Sequence, residues 1–206
     1  VSIGQDGPSQ MALEDIAMMR SIPDSIVLYP SDGISTYKLT ECMANCHDGI
    51  SYLRTTRSAT PILYAEDETF EIGGCKVIRH SDEDKTCVVA AGITLYEVLK
   101  AYEILKEQGV LISVIDAYSV KPLDSETIKD VAKKSGNRVI VVEDHYPEGG
   151  LGEAVSLALS GEHAGSAITV ESLAVTKLSR SGKPEELMAY AGIDAKSIVQ
   201  VVLLRL

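Results

Sequence analysis

Four apolar runs in the second half of the chain, at 87–91, 111–117, 138–143 and 168–174, recur at intervals of about 25–30 residues. They are continuous rather than alternating, the pattern of strands covered on both faces. Each interval is long enough for a helix, and two carry start signals. Thr94 precedes Leu95, Val98, Leu99 and Tyr102, and Asp124 follows Pro122 and precedes Thr127-Ile128 and Val131-Ala132. Strand, helix and strand in this rhythm require right-handed crossovers, so the sequence predicts a doubly wound, mostly parallel α/β sheet. Two more helices are expected at 184–191 and 195–204, the first opened by Pro184 and closed by Gly192.

The first half alternates in the same way. Met11, Leu13, Ile16, Ala17, Met18 and Met19 predict a helix that starts at Ser9 and stops before Pro23. Ile26-Val27-Leu28-Tyr29 and residues 50–54 read as short strands around a helix over 35–46, and residues 3–8 as the exit of a strand into a turn. An acidic segment, 65–71, and Gly73-Gly74 then interrupt the pattern. The expected architecture is two three-layer α/β units with mostly parallel sheets, the first incomplete at its N-terminus. Residues 1–64 form the first unit, 65–73 a linker and 74–206 the second. With no initiator Met and no upstream partner for its first strand, the chain reads as a piece of a longer polypeptide.

Charge narrows the function. With 19 Lys and Arg against 30 Asp and Glu, the net charge of −11 opposes attraction to nucleic acid or anionic lipid, so neither partner is expected. With no Trp and a single Phe, the platforms on which single strands stack are scarce. No continuous apolar run approaches the roughly 18 residues of a membrane span. The four cysteines make no Cys-x-x-Cys pair; Cys42 and Cys46, followed by His47, could share a helix face but read as ordinary packing residues of a reducing, cytoplasmic compartment.

In open α/β sheets ligands bind beyond the carboxyl ends of the strands, and five segments stand there. Gly4-Gln5-Asp6-Gly7-Pro8-Ser9-Gln10 sets a carboxylate in a glycine-flanked turn: Asp6 is a turn residue or orients a substrate hydroxyl. In Arg54-Thr55-Thr56-Arg57, two of only four basic residues among the first 73 stand together, suited to phosphate or carboxylate or to a surface ion pair. Glu143-Asp144-His145-Tyr146, followed by Gly149-Gly150-Leu151-Gly152, matches no phosphate-loop pattern and carries too many carboxylates for one. His145 there is hydrogen-bonded structure or an acid/base group. Ala90-Ala91-Gly92-Ile93-Thr94 is a packing turn, and Ser179-Arg180-Ser181-Gly182-Lys183-Pro184-Glu185 a helix cap or an anion contact.

Six motifs, in order along nearly the whole chain, carry a resemblance. They are Ser2-Ile3-Gly4-Gln5-Asp6-Gly7-Pro8-Ser9-Gln10-Met11-Ala12-Leu13-Glu14-Asp15, Tyr29-Pro30-Ser31-Asp32-Gly33, Arg54-Thr55-Thr56-Arg57, Lys121-Pro122-Leu123-Asp124, Val142-Glu143-Asp144-His145-Tyr146 and Arg180-Ser181-Gly182-Lys183-Pro184. Together they resemble animal-type transketolases. The resemblance implies that the first unit is the later part of a pyrimidine-binding domain and the second a transketolase C-terminal domain. It implies transfer of a two-carbon ketol unit between a ketose phosphate and an aldose phosphate in the pentose phosphate pathway. The cofactors would be thiamine diphosphate and a divalent cation, Mg or Ca, held mostly by a domain outside this chain.

Carried over by position, Asp6 resembles the carboxylate that bonds the substrate hydroxyl beside the reacting carbonyl. Gln10 resembles a residue near the thiamine cofactor, and Arg57 the one that clamps the sugar phosphate. The family's catalytic His and activating Glu match no position here, and its C-terminal domain is expected to stand away from the chemistry, leaving Glu143, Asp144 and His145 structural. Three departures stand out: Gln5 where an acidic residue is common, Ser58 where Pro usually follows the arginine, and an apparent extra residue in Cys46-His47-Asp48. Family sites form between subunits, so the implied partner is a second copy or a separate N-terminal cofactor-binding subunit. The competing expectation is a non-catalytic dimerisation module of the same fold. A ketoacid dehydrogenase β-type subunit or a deoxyxylulose phosphate synthase-like enzyme fits the motifs less well.

Overall fold

In a computed structural model, residues 1–47, 49–160 and 167–206 are described. A 3-10 turn at Pro8–Gln10 precedes α1 (Asp15–Arg20), β1 (Ile26–Leu28), α2 (Gly33–Ala44) and β2 (Ser51–Leu53). Then come β3 (Lys76–Arg79), β4 (Cys87–Ala90), α3 (Thr94–Glu107), β5 (Ser113–Asp116) and β6 (Ser119–Lys121). The last elements are α4 (Ser125–Lys134), β7 (Arg138–Val142), α5 (Leu151–Leu159), β8 (Thr169–Leu173), α6 (Pro184–Ala191) and α7 (Ala195–Leu204).

All four predicted runs become strands of one five-stranded sheet in the order β3-β5-β4-β7-β8, parallel except for β3 against β5. β4 and β5 are buried throughout and β7 from its second residue, so their side chains are covered on both faces. β8 lies at an edge with Thr169 and Ser172 exposed. The fold is thus a mixed α/β structure with two sheets of mostly parallel strands. Two strands lacked a clear signal. β3 is only four residues, Val77-Ile78 between Lys76 and Arg79, at a sheet edge, and β6 crosses to the other sheet.

That smaller sheet runs β2-β1-β6, with β1 parallel to β2 and antiparallel to β6, so its third strand comes from beyond residues 65–73. The cores mix in the same way. Ile16, Val27 and Tyr29 pack with Val89, Ile115, Val141 and Val155 on one face of the large sheet. Met11 and Leu13 join Val88, Ile140, Leu187 and Ile198 on the other.

Local chemistry explains where elements start and stop. α2 opens on a reciprocal capping box, Ser35 N–H donating to Asp32 Oδ1 at 2.7 Å while Asp32 N–H donates to Ser35 Oγ at 3.0 Å. Asp124 caps α4 as expected, accepting from Thr127 N–H at 3.1 Å. Thr94 instead lies inside α3 and donates to the carbonyls of Ala91 at 3.0 Å and Val142 at 2.8 Å, stapling helix to strand. The helix expected from Ser9 begins only at Asp15, because Ala12 adopts φ 46 and interrupts any continuous turn. Residues 1–7 form successive turns rather than a strand exit, with Gly4 N–H donating to Val1 O and Gly7 N–H to Gly4 O, each at 3.2 Å.

The segment Pro184–Leu204 is long and apolar enough by composition to cross a membrane, which the search for a single apolar run does not reveal. Gly192 at φ 78 breaks it into α6 and α7, and α7 packs along α3.

Candidate functional site

β1 and β2 end side by side, and the residues just beyond them, Tyr29 and Arg54, open onto a cavity of about 240 Å³. Gln10, Arg57 and Asp144 line it as well. Asp6 reaches the same place through an ion pair from its Oδ2 to Arg57 Nη1, with the side chains 43% and 59% exposed. The fold therefore gathers Asp6, Gln10 and Arg57 from two separate segments at one mouth. Asp48 lies outside the described residues, and with it the apparent extra residue upstream of Arg57.

Beneath this exposed pair is a buried one. Arg54 Nε lies 3.1 Å from Asp15 Oδ2, and Tyr52 Oη donates to the same oxygen at 2.6 Å. Arg54 Nη1 donates to the Asp144 carbonyl at 2.9 Å, and its guanidinium stands 4.8 Å from the Tyr29 ring centroid. One arginine thus fastens α1, β1, β2 and the end of β7 into a floor. Sequence reasoning weighed Arg54 and Arg57 together. The structure separates them by burial, Arg54 as frame and Arg57 as accessible cation. Asp15 closes the first motif without a role of its own and Tyr52 stands in no motif, because an acid in a helix's first turn and a strand tyrosine look ordinary until Arg54 brings them together.

In the Glu143-Asp144-His145 segment the first residue caps a helix of its own half and the other two join the halves. Glu143 accepts from Leu151 N–H at 2.6 Å, Gly152 N–H at 3.0 Å and Ser172 Oγ at 3.2 Å, capping α5. Burial lifts its pKa to about 7 despite those donors and Arg20. Asp144 accepts from Ser2 N–H at 3.0 Å and Ser2 Oγ at 2.6 Å. His145 Nε2 accepts from Ala17 N–H at 3.3 Å, and Nδ1 stands 2.5 Å from Tyr146 O. Burial holds its pKa below the usual imidazole range, so the ring is neutral near pH 7 with both nitrogens engaged.

The glycine-rich turn that follows seats α1 rather than a phosphate. Arg20 Nη1 donates to the Gly149 and Gly150 carbonyls, the latter at 2.8 Å. A Cβ on Gly149 would stand 2.5 Å from Ala17 Cβ. At Gly92, φ 59 and a built Cβ 2.1 Å from the Tyr29 ring explain the tight turn after β4. Arg180 stacks on Tyr190 at 4.0 Å, while Ser181 faces Gly7. The second half is therefore not remote from the cavity: Asp144 lines it, because residues 1–20 lie across the large sheet with Met11 and Leu13 in its core.

Among the described residues, no three of His, Cys, Asp and Glu stand together as a metal site. The cavity is lined by the accessible cation Arg57, the amide of Gln10 and the engaged carboxylates of Asp15 and Asp144, and Asp6 stands at Arg57 through their ion pair, a set that can orient a small polyhydroxylated anion.

Two family profiles match the chain: the transketolase pyrimidine-binding domain over residues 1–62 and the transketolase C-terminal domain over residues 75–198. Over 202 residues, or 98% of this chain, it is 54% identical to transketolase-like protein 1 of Bos taurus and 50% identical to transketolase of Homo sapiens. The match covers 33% and 32% of those proteins, so the chain spans about a third of their length. A solved structure described as a split gene transketolase, inactive beta4 tetramer, superposes with TM-score 0.86 at 31% identity. That superposition covers 94% of this chain and 62% of the other.

Proposed function

The chain belongs to the transketolase family, and from that premise we propose that it is the part of a ketol transferase that reads the sugar phosphate. The enzyme would move a two-carbon unit from a ketose phosphate to an aldose phosphate in the pentose phosphate pathway of the cytoplasm. The observation that carries this reading is the convergence of Gln10 and Arg57 on one cavity beyond β1 and β2, with Asp6 paired to Arg57 beside it.

Thiamine diphosphate supplies the carbanion chemistry of such a reaction when bound. The exposed Gln10 amide fits a neutral contact to that cofactor. The residues present do not fit the divalent cation, Mg or Ca, which together with the diphosphate is assigned to a second copy or a separate cofactor-binding subunit. What this chain contributes is orientation. Asp6 accepts the sugar hydroxyl beside the reacting carbonyl, and the planar fork of Arg57 takes the terminal phosphate. Before substrate arrives the two neutralise each other in solvent, a pairing worth only about 0–1 kcal/mol and easily exchanged for phosphate.

Mixing the chain with a cofactor-binding partner, thiamine diphosphate, a divalent cation and both sugar phosphates tests the reading. Ketol transfer is expected, with Arg57→Ala raising KM for the phosphorylated donor by about 10–100-fold. No transfer with every component supplied overturns it.

The solved relative described as inactive favours a second reading, a non-catalytic assembly module. It predicts a stable oligomer that Arg57→Ala leaves intact and that has no affinity for thiamine diphosphate. Saturable cofactor binding by the chain counts against it.

A further inference from the structure

Asp6 sits between two glycines in left-handed backbone, Gly4 at φ 80 and Gly7 at φ 76. Both face the loop that leads into α6. A Cβ built on Gly4 would lie 2.9 Å from Pro184 Cδ and 3.1 Å from the Gly182 carbonyl oxygen; one built on Gly7 would lie 2.5 Å from Ser181 Oγ. The two glycines are therefore needed twice, for their dihedrals and for the close approach of a loop almost 180 residues away in sequence. The turn's own hydrogen bonds are local, Gly4 N–H to Val1 O, Gly7 N–H to Gly4 O and Gln10 N–H to Gly7 O at 3.1–3.2 Å, and fix its shape without fixing where its tip stands.

The loop beneath it is well founded. Leu187 and Met188, one turn into α6, are buried in the core of the large sheet, and Arg180 is stacked on Tyr190. Pro184 begins α6 and has a fixed φ, so the surface offered to Gly4 does not move independently of the helix. A hydroxyl–carboxylate hydrogen bond holds only over about 2.5–3.0 Å, and displacing an orienting group by about 1 Å can cost on the order of 100-fold in rate. Placement of the tip is thus a functional quantity for any carboxylate that orients a sugar.

We propose that Ser181 and Pro184 are positioning residues of the sugar site, setting where Asp6 stands by packing against the glycines on either side of it. The inference rests on the sugar-phosphate reading above and adds to it a role for the far end of the chain.

A double-mutant cycle in the assembled enzyme, chain plus cofactor-binding partner, tests it. Ser181→Leu, which drives bulk into Gly7, is expected to lower kcat/KM for the ketose phosphate about 10-fold, but less than about 2-fold further in an Asp6→Asn background. Equal losses in both backgrounds, or no loss, overturn the proposal. Because Ser181→Leu can disturb folding, Ser181→Ala and the loop control Leu178→Ser are read on the chain itself by amide hydrogen exchange. Asp6 and Gly7 amides are expected to respond to Ser181→Ala and not to Leu178→Ser. Unchanged exchange in Ser181→Ala overturns the proposal whatever the activity. If the amides respond but Asp6→Asn leaves kcat/KM unchanged, the sugar-site reading fails and takes the positional role with it, while the contact stands.

Discussion

Arg54 Nε and Asp15 Oδ2 lie 3.1 Å apart in a buried ion pair that also holds Tyr52. Three residues along the chain, Arg57 pairs with Asp6 in solvent. Two similar contacts at one strand end therefore carry opposite consequences. Removing Arg54 leaves the Asp15 carboxylate without its cation and the Asp144 carbonyl without its donor. Arg54→Ala is expected to destabilise the fold by about 3–5 kcal/mol, read as a lower urea midpoint.

Arg57→Ala and Asp6→Asn are expected to change stability by less than about 1 kcal/mol, since the pair is exposed and screened. Their effect belongs in ligand binding. Titration of the assembled enzyme with a ketose phosphate should show weaker binding for both variants, Arg57→Ala the more so and with a smaller response to salt, since it has lost the cationic partner of the phosphate. Unfolding curves shifted as far as those of Arg54→Ala would show that the pair is part of the frame.

Glu143 and Asp116 give stability a pH dependence of defined sign. Burial raises both to about 7, Glu143 against three donors and Asp116 against Tyr64 Oη at 2.6 Å and Ser31 Oγ at 2.8 Å. Among the described residues the buried Asp116 Oδ1 has no hydrogen-bond partner, as suits a carboxyl that keeps its proton. A raised carboxyl pKa favours folding fully below the unfolded value near 4 and loses that advantage as pH climbs to about 7. Unfolding free energy from these groups should fall between pH 4 and pH 7, by about 3–4 kcal/mol for each. Glu143→Gln and Asp116→Asn should each flatten the slope, and an unchanged slope in both variants would refute the assignment. His145 works in the opposite sense, its depressed pKa adding stability as pH rises through the imidazole range.

Gly149→Ala should unseat α1. The new Cβ meets Ala17 at 2.5 Å and must adopt φ 69, and the shift strains the Arg20 bonds to the Gly149 and Gly150 carbonyls. A loss of about 1–3 kcal/mol is expected. Hydrogen exchange in α1 should rise more than in α5, which keeps its Glu143 cap.

The parts of this fold that were legible in sequence are those whose physics is local. Continuous apolar runs give β4, β5 and β7, and Asp124 and Gly192 mark helix ends by side-chain capping and left-handed backbone. What stayed hidden depends on distant partners. Ala12 at φ 46 breaks a periodic helix for reasons that lie in the burial of Met11 and Leu13 against the large sheet. β6 is three residues with no pattern of their own until β1 accepts them. At the site, Asp6 and Arg57 could be singled out because glycines flank the first and basic residues are scarce around the second. The burial that divides Arg54 from Arg57, and the reach of Ser181 to Gly7, exist only once the halves have closed.

The crossing of β6 sets an order of events during synthesis. β1, whose end opens the cavity, lacks the β6 edge until residue 121 has left the ribosome, and the core around Val27 and Tyr29 is completed only when Val139 and Val141 follow. The β1–β2 pair can form early, but the β1 edge that takes β6 waits for chain made later. Such delayed pairing slows folding and exposes strand edges to other chains. A nascent protein of this design is most vulnerable to aggregation while the β1 edge has been made and β6 has not.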